Sequence, residues 1–188
     1  MHKAGCAIAA MACAAGLTAP AGSTYASSRS WSSARTETRA SRWDAAVLEQ
    51  RILLAHNRAR AALGIAPLRW DPALAESAEQ WGKELVRRGT FEHSRDRANV
   101  GENLWEGTPG AYSPEQMVGR WLGEKRVFKA GIFPNNSTTG DWGAVGHYTQ
   151  LMWRHSTALG CALVPGPRAD VLVCRYAPAG NVYGEVPF

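Results

Sequence analysis

Four ionisable side chains stand in or beside apolar segments, where a charge is hard to bury. They are His93, Glu102, Glu124 and His147. If GHYTQLMW is a strand, His147 shares one of its faces with a leucine and a tryptophan. Burying an unpaired charge costs several kcal/mol, so each group needs a partner. Such a histidine is either a satisfied core residue or part of a chemical site. Spacing alone does not bring the four together, and the chain has no H-E-x-x-H, paired C-x-x-C or calcium-loop motif.

Two helices are predicted in the first half of the chain from their end signals. Ser41, three residues before Asp44, resembles a capping signature, and Gly64 is the predicted end of the helix that follows. Asp71-Pro72 is a typical helix start, with aspartate as the N-cap and proline in the first turn. That second helix is predicted to end at Gly89.

A third helix is predicted from the capping box Ser113-Pro114-Glu115-Gln116 through about Val127. Its expected buried face consists of Met117, Trp121 and Phe128. Glu124 falls within this apolar stripe, three residues after the tryptophan and four before the phenylalanine.

Strands are predicted where β-branched and aromatic residues lie between turn signals, at 102–106, 147–153, 158–164 and 171–176. A loop rich in Gly, Asn, Thr and Pro, residues 129–146, is long enough to be functional. Helices come first and a short sheet comes last, an order that indicates an α+β sandwich and not a parallel βαβ fold.

Residues 1–26 have the pattern of a secretory signal. His2 and Lys3 precede an apolar run of eleven residues, too short for a membrane span of about 20. Cleavage is expected after Ala21 or Ala26. An alternative lipoprotein signal, with lipid attached to Cys13, is disfavoured because alanine stands where leucine is expected three positions earlier. We therefore expect export, to the extracellular space or a periplasm.

Removal of this signal leaves only two cysteines, Cys161 and Cys174. Cysteines of exported proteins usually pair, so we expect a disulfide between them. It would close a short loop and stabilise the fold by about 3 kcal/mol.

The net charge of +5 is concentrated near the start of the chain. Residues 27–42 form a basic leader rich in Ser and Arg, predicted to be flexible. Residues 43–188 carry 16 basic and 15 acidic side chains. This near balance, without clustered Lys and Arg, is not typical of a nucleic-acid-binding protein.

Seven segments of residues 43–188 resemble the CAP superfamily of cysteine-rich secretory proteins, antigen 5 and pathogenesis-related 1 proteins. They are HNRAR at 56–60, LRWDPALAESAEQWG at 68–82, FEHS at 91–94, GENLW at 101–105, GHYTQLMW at 146–153, GCALV at 160–164 and VCRYAPAGN at 173–181. GENL, GHYTQ and the C-x-Y-x-P-x-GN ending in this order are highly specific. The resemblance implies a three-layer α-β-α sandwich with a central antiparallel sheet and a large cleft.

The resemblance also implies that His93, Glu102, Glu124 and His147 line that cleft together. Three interpretations then stand beside one another. The imidazoles bind zinc or another divalent ion, with the carboxylates as further ligands or as partners that orient the rings. The four groups form a metal-free hydrogen-bonded network. Or they catalyse metal-dependent hydrolysis or proteolysis. We expect no required cofactor, and zinc or another divalent cation is the candidate.

Some members of the family bind sterols or other lipids through the segment before GHYTQ. Here that segment supplies Phe133 and Trp142 as possible lipid contacts. It lacks the surrounding cysteines of plant members, so no disulfide braces the loop. We expect a monomeric, secreted binding protein for a small hydrophobic ligand, such as a sterol or fatty acid, or for a surface partner. The alternative is a hydrolase that uses the four cleft residues.

Overall fold

The computed structural model describes residues 43–96 and 99–188. The predicted signal, the Cys13 lipidation motif and the basic leader lie outside these residues. Within the described part of the chain, no helix is both long and apolar enough to cross a membrane.

Helix α1 spans Ala45–Ala61 and begins directly after Asp44, whose carboxylate accepts a hydrogen bond from the Ala46 N–H at 2.9 Å. Asp44 is therefore the N-cap itself, and not the third residue of a cap at Ser41, which lies outside the described residues. The helix ends three residues before Gly64, which adopts a positive φ of 68°.

Helix α2 spans Pro72–Arg88, as its end signals predict. The Asp71 carboxylate accepts from two backbone N–H groups of the first turn, and Gly89 ends the helix with left-handed backbone angles. Between α1 and α2 lies the short strand β1, Arg69–Trp70.

Helix α3 spans Pro114–Leu122 and has the complete capping box that its sequence predicts. It is shorter than expected, because the chain tightens into a 3-10 helix over Gly123–Val127. Glu124 therefore lies on this 3-10 turn and not in the α-helix. Met117 and Trp121 are buried as predicted, and Phe128 is partly buried.

The prediction of a strand at 147–153 is wrong. Gly146–Leu151 form a short helix, α4, which follows a 3-10 turn at Trp142–Ala144. Four consecutive residues, 148–151, are buried, so hydrophobicity along this segment has neither a helical nor a strand period. A short apolar segment of this kind is compatible with either structure, and the contacts of its first turn, described below, favour the helix.

The sheet contains four strands in the order β1-β3-β4-β2. Strands β2 (Gly101–Gly107), β3 (Ala158–Val164) and β4 (Asp170–Ala177) pair antiparallel and extend the predicted strands by one or two residues at most. Strand β1 adds a short parallel pairing to β3. The three long strands confirm the predicted antiparallel centre.

Side chains of the sheet alternate between two helical layers, because successive strand residues point to opposite faces. Leu172, Cys174 and Tyr176 of β4 belong to the core shared with α1, α3 and α4. Val171 and Val173 belong to the core under α2. The result is a three-layer α-β-α sandwich with α2 on one face and the other helices on the opposite face.

The predicted disulfide is present between Cys161 and Cys174. The two residues are direct partners on β3 and β4 and lie on the face covered by α1, α3 and α4. The bond therefore joins neighbouring strands in the interior, where it is almost inaccessible to solvent.

Candidate metal-binding cleft

The first pair, His93 and Glu102, connects the end of α2 to strand β2. In the irregular segment after Gly89, His93 Nδ1 lies 2.7 Å from Glu102 Oε1. The backbone N–H of Ser94 donates to the same oxygen at 3.0 Å. The Glu102 side chain has no exposed surface, whereas 47% of the His93 side chain is exposed. The buried Glu102 thus fixes the orientation of the partly exposed His93 ring.

The second oxygen of Glu102 faces a buried cation. Arg175 Nη2 lies 3.4 Å from Glu102 Oε2, and the other terminal nitrogen donates to the Ser77 hydroxyl on α2. This arrangement compensates the buried carboxylate, which would otherwise be costly.

The second pair, His147 and Glu124, connects α4 to the 3-10 turn after α3. His147 Nδ1 lies 2.6 Å from Glu124 Oε1. Glu124 Oε2 accepts the backbone N–H groups of His147 and Tyr148, each at 3.0 Å. First-turn N–H groups have no partner inside their own helix, so the carboxylate caps α4 as it binds the ring. This contact explains why Glu124 interrupts an apolar stripe.

The His147 ring and carbonyl are also fixed. The ring stacks on the Trp121 indole, with centroids 6.2 Å apart and planes 14° from parallel. The His147 carbonyl accepts from Asn103 Nδ2 at 3.0 Å, and the same amide nitrogen lies 3.2 Å from the Tyr176 hydroxyl. The hydroxyl lies 2.9 Å from Nε2 of the buried His56. A hydrogen-bonded chain therefore runs from the core of the domain to the cleft.

Both histidines line one open cleft of about 690 Å³. Glu102 also reaches its wall, whereas Glu124 lies behind His147 and is not part of the lining. The cleft lies near the first residues of β2. Because Glu102 faces the α2 layer and Asn103 faces the opposite layer, the two pairs approach the cleft from opposite sides of the sheet.

The carboxylate contacts determine which nitrogen each imidazole presents. An ionised carboxylate only accepts hydrogen bonds, so the nearby Nδ1 of each ring must carry the hydrogen. In the neutral imidazole, Nε2 then has the free lone pair. Among the described residues, neither Nε2 has a hydrogen-bond partner.

The four residues form two pairs, and not one cluster of four ligands. Over residues 43–96 and 99–188, no three His, Cys, Asp or Glu side chains come together closely enough to hold a metal ion. The chemistry of the donor set nevertheless fits a divalent ion bound by two imidazoles. Each imidazole is oriented by a carboxylate, which is the usual outer partner of a metal-binding histidine. Other coordination positions would be open to water or ligand.

The two aromatic residues predicted from the loop have different environments. Phe133 is buried and forms the centre of an aromatic cluster, whereas Trp142 is 43% exposed at the cleft. Tyr183, 69% exposed, also lines the cleft, and both exposed rings lie edge-on to Phe133 at 5.3 Å. The loop is tied to the end of the chain by backbone hydrogen bonds from Phe133 N to Glu185 O and from Gly184 N to Phe133 O.

Residues 53–176 match the family model of the cysteine-rich secretory protein family, CAP. The chain belongs to the CAP family. Pathogenesis-related protein 1A of Nicotiana tabacum is 37% identical over 142 residues, which cover 74% of this chain and 80% of that protein. The pathogenesis-related protein PR-1 of Medicago truncatula is 34% identical over 142 residues, covering 74% and 79%.

Solved structures confirm the CAP fold. The crystal structure of NaASP2 with Zn2+ matches with a TM-score of 0.65 and 24% identity, covering 75% of this chain and 84% of that one. BmVAL-1 matches with a TM-score of 0.65 and 22% identity, covering 81% and 86%. At these identities the likeness concerns the fold alone.

Several residues that line or support this CAP cleft could not be predicted from the sequence, with one exception. Arg175 could have been noticed, because it is the one charged residue within the apolar run between Val171 and Tyr176. Asn103 and His56 have no comparable signal, because their role depends on contacts between distant segments. Tyr183 lies in an irregular segment after the last strand and has no periodic pattern around it.

Proposed function

We propose that this CAP protein is exported and binds a divalent metal ion through Nε2 of His93 and Nε2 of His147. The observation that carries the proposal is that both imidazoles line one cleft with Nδ1 tied to a carboxylate. When bound, zinc would supply a Lewis acid in the cleft. The crystal structure of NaASP2 with Zn2+ is compatible with this proposal, although that protein shares only the fold.

The carboxylates act in this proposal as orienting groups. Both oxygens of Glu124 accept hydrogen bonds from His147 or the start of α4. Both oxygens of Glu102 are likewise engaged, one by His93 and Ser94 and the other by Arg175. Each carboxylate accepts three hydrogen bonds, so in this proposal it orients a histidine and the imidazole Nε2 is the metal ligand.

The same cleft is proposed to bind a small hydrophobic ligand, such as a sterol or a fatty acid. Trp142 and Tyr183 offer exposed aromatic surface beside the histidines, and the buried Phe133 supports both rings from behind. Exposed aromatic side chains at a concave site are typical of ligand contacts. Phe133 therefore has a supporting role in this proposal, and Trp142 is the direct contact.

The geometry favours binding over hydrolysis. A hydrolase needs a general base beside its nucleophile. Each carboxylate already accepts hydrogen bonds that hold a histidine, and in this proposal both Nε2 atoms are occupied by the metal ion. Ser94, which lies next to His93, is buried, and its hydroxyl lies 3.4 Å from the Asp96 carbonyl. It is not presented to the cleft as a nucleophile.

Zinc titration by calorimetry tests the metal site. Wild type should bind one zinc ion per chain, and His93→Ala and His147→Ala should each lose binding by at least about tenfold. His155→Ala, which removes an exposed histidine elsewhere, is the matched control. Unchanged binding in the double alanine variant would refute the site.

A panel of sterols and fatty acids tests the ligand part separately. Trp142→Ala and Tyr183→Ala should weaken binding, whereas Leu54→Ala, which removes an exposed apolar residue from α1, should not. Absence of binding to every member of the panel would overturn this part. Zinc-dependent turnover of an ester or peptide that is lost in His93→Ala would instead favour the hydrolase alternative.

A further inference from the structure

Arg175 is a buried cation whose contacts converge on the first pair. It is 8% exposed, and its guanidinium is shared between the Glu102 carboxylate and the Ser77 hydroxyl. Its Nε is buried without a partner among the described residues. A buried donor without a partner costs about 1–3 kcal/mol. The side chain keeps this position despite that cost, so we infer that its contacts with Glu102 and Ser77 hold it there.

The sheet and α2 together place the guanidinium. Glu102 and Arg175 are direct partners on the antiparallel strands β2 and β4, so their side chains leave the sheet on the same face. On the other side of β4, the partner of Arg175 is Gly160. A Cβ at Gly160 would lie 2.2 Å from the Ala75 backbone nitrogen, so only glycine lets α2 approach this closely. That approach brings Ser77 within reach of Arg175.

The guanidinium holds the Glu102 carboxylate in one orientation. With one oxygen on Arg175, the other faces His93 Nδ1 and the Ser94 N–H. We propose that Arg175 is a positioning residue of the cleft, which fixes Glu102 so that His93 donates from Nδ1 and presents Nε2 to a metal ion. This inference rests on the proposed metal site.

The second pair provides an internal comparison. Glu124 is held by two backbone N–H groups of α4, and within the described residues its only ion-pair partner is His147. The two histidines are therefore oriented by different means, one through a buried cation and the other through a helix start. Loss of Arg175 should affect His93 and leave His147 unchanged.

Nitrogen NMR of the metal-free protein tests this directly, because the chemical shifts of Nδ1 and Nε2 report which nitrogen carries the hydrogen. In wild type both histidines should be almost entirely protonated at Nδ1. In Arg175→Gln, His93 should become a mixture of the two forms while His147 keeps the wild-type shifts. Zinc affinity should fall about tenfold, the lower end of the loss seen when an outer partner of a metal ligand is removed.

Three further variants complete the experiment. Arg175→Lys keeps the charge and should restore most of the His93 shift. Ser77→Ala keeps the ion pair, frees one end of the guanidinium and should produce a smaller change in the same direction. Arg87→Gln removes an exposed arginine paired with Glu84 and should change neither quantity.

The proposal is overturned if His93 keeps its wild-type shifts and zinc affinity in Arg175→Gln. If that variant does not fold, unchanged His93 shifts in Ser77→Ala overturn it. If wild type binds no zinc, the metal site fails, but the NMR result still decides whether Arg175 positions His93.

Discussion

Glu124 binds His147 at two points, with Oε1 at 2.6 Å from the ring Nδ1 and Oε2 at 3.0 Å from the backbone nitrogen. One carboxylate thus fixes both the position of α4 and the rotation of the ring. The cleft histidine and the helix that carries it are therefore parts of the same structural unit.

Glu124→Gln should weaken zinc binding by about tenfold to a hundredfold. The amide has one accepting oxygen where the carboxylate has two, so the ring and the helix start compete for it. Calorimetry on folded protein measures the effect. Glu79→Gln, which removes an exposed carboxylate paired with Lys83, should bind zinc like wild type. Equal affinity in Glu124→Gln and wild type would show that this contact does not orient the ring.

His56 should make the fold less stable in acid. Burial is the main reason that its pKa is lowered from 6.5 to about 4. The unfolded chain therefore takes up a proton first, and stability is lost as the pH falls from about 6.5 to about 4. The loss from this group amounts to about 3 kcal/mol.

Urea unfolding between pH 7 and pH 4 measures this dependence. His56→Gln removes the titrating group, so its free energy of unfolding should be lower at pH 7 and fall less steeply toward pH 4. His155→Gln, at an exposed position, should retain the wild-type slope. A slope in His56→Gln as steep as that of wild type would contradict this explanation.

Arg60→Met should destabilise the domain by at least about 3 kcal/mol. The buried guanidinium donates to the carbonyls of Ala66, Leu151, Trp153 and Ser156 at 2.8–3.0 Å. Burial lowers the pKa of Arg60 only to about 10, so it stays charged at neutral pH. Its removal leaves several buried acceptors without a donor, each at a cost of about 1–3 kcal/mol.

Chemical denaturation compares Arg60→Met with Arg58→Met, an exposed substitution on the same helix that should change stability by less than about 0.5 kcal/mol. Arg60→Lys should be more stable than Arg60→Met but less stable than wild type, because an ammonium group cannot match the forked geometry of the guanidinium. A loss below about 1 kcal/mol in Arg60→Met would show that other donors replace the guanidinium.

Local end signals predict much of this fold, as α2 shows. Each end signal of α2 acts on backbone groups a few residues away: Asp71 as the cap, Pro72 in the first turn and Gly89 at the end. The bounds of this helix can therefore be predicted from the local sequence. The strands β3 and β4 are predicted for the same reason, because each is an apolar run between turn signals and residues 165–167, Pro-Gly-Pro, separate the two. The CAP resemblance supplies what local signals lack, namely that the four cleft residues belong to one site.

The misassigned segment at 146–151 shows where local reasoning ends. Its helical structure depends on Glu124, 23 residues earlier, which accepts the N–H groups that a strand would direct to a neighbour. Arg60 contributes from α1 by binding the Leu151 carbonyl at the other end. The four cleft residues form two pairs, and this division likewise depends on distant partners. Arg175, for example, lies beside Glu102 only in the folded sheet.

Anomalous diffraction from a zinc-soaked crystal tests directly whether both cleft histidines bind the metal ion. We expect one zinc peak about 2.0–2.1 Å from Nε2 of both His93 and His147, with both Nδ1 atoms still bound to their carboxylates. A peak bonded to an oxygen of Glu102 or Glu124, or no peak in the cleft at saturating zinc, would contradict it.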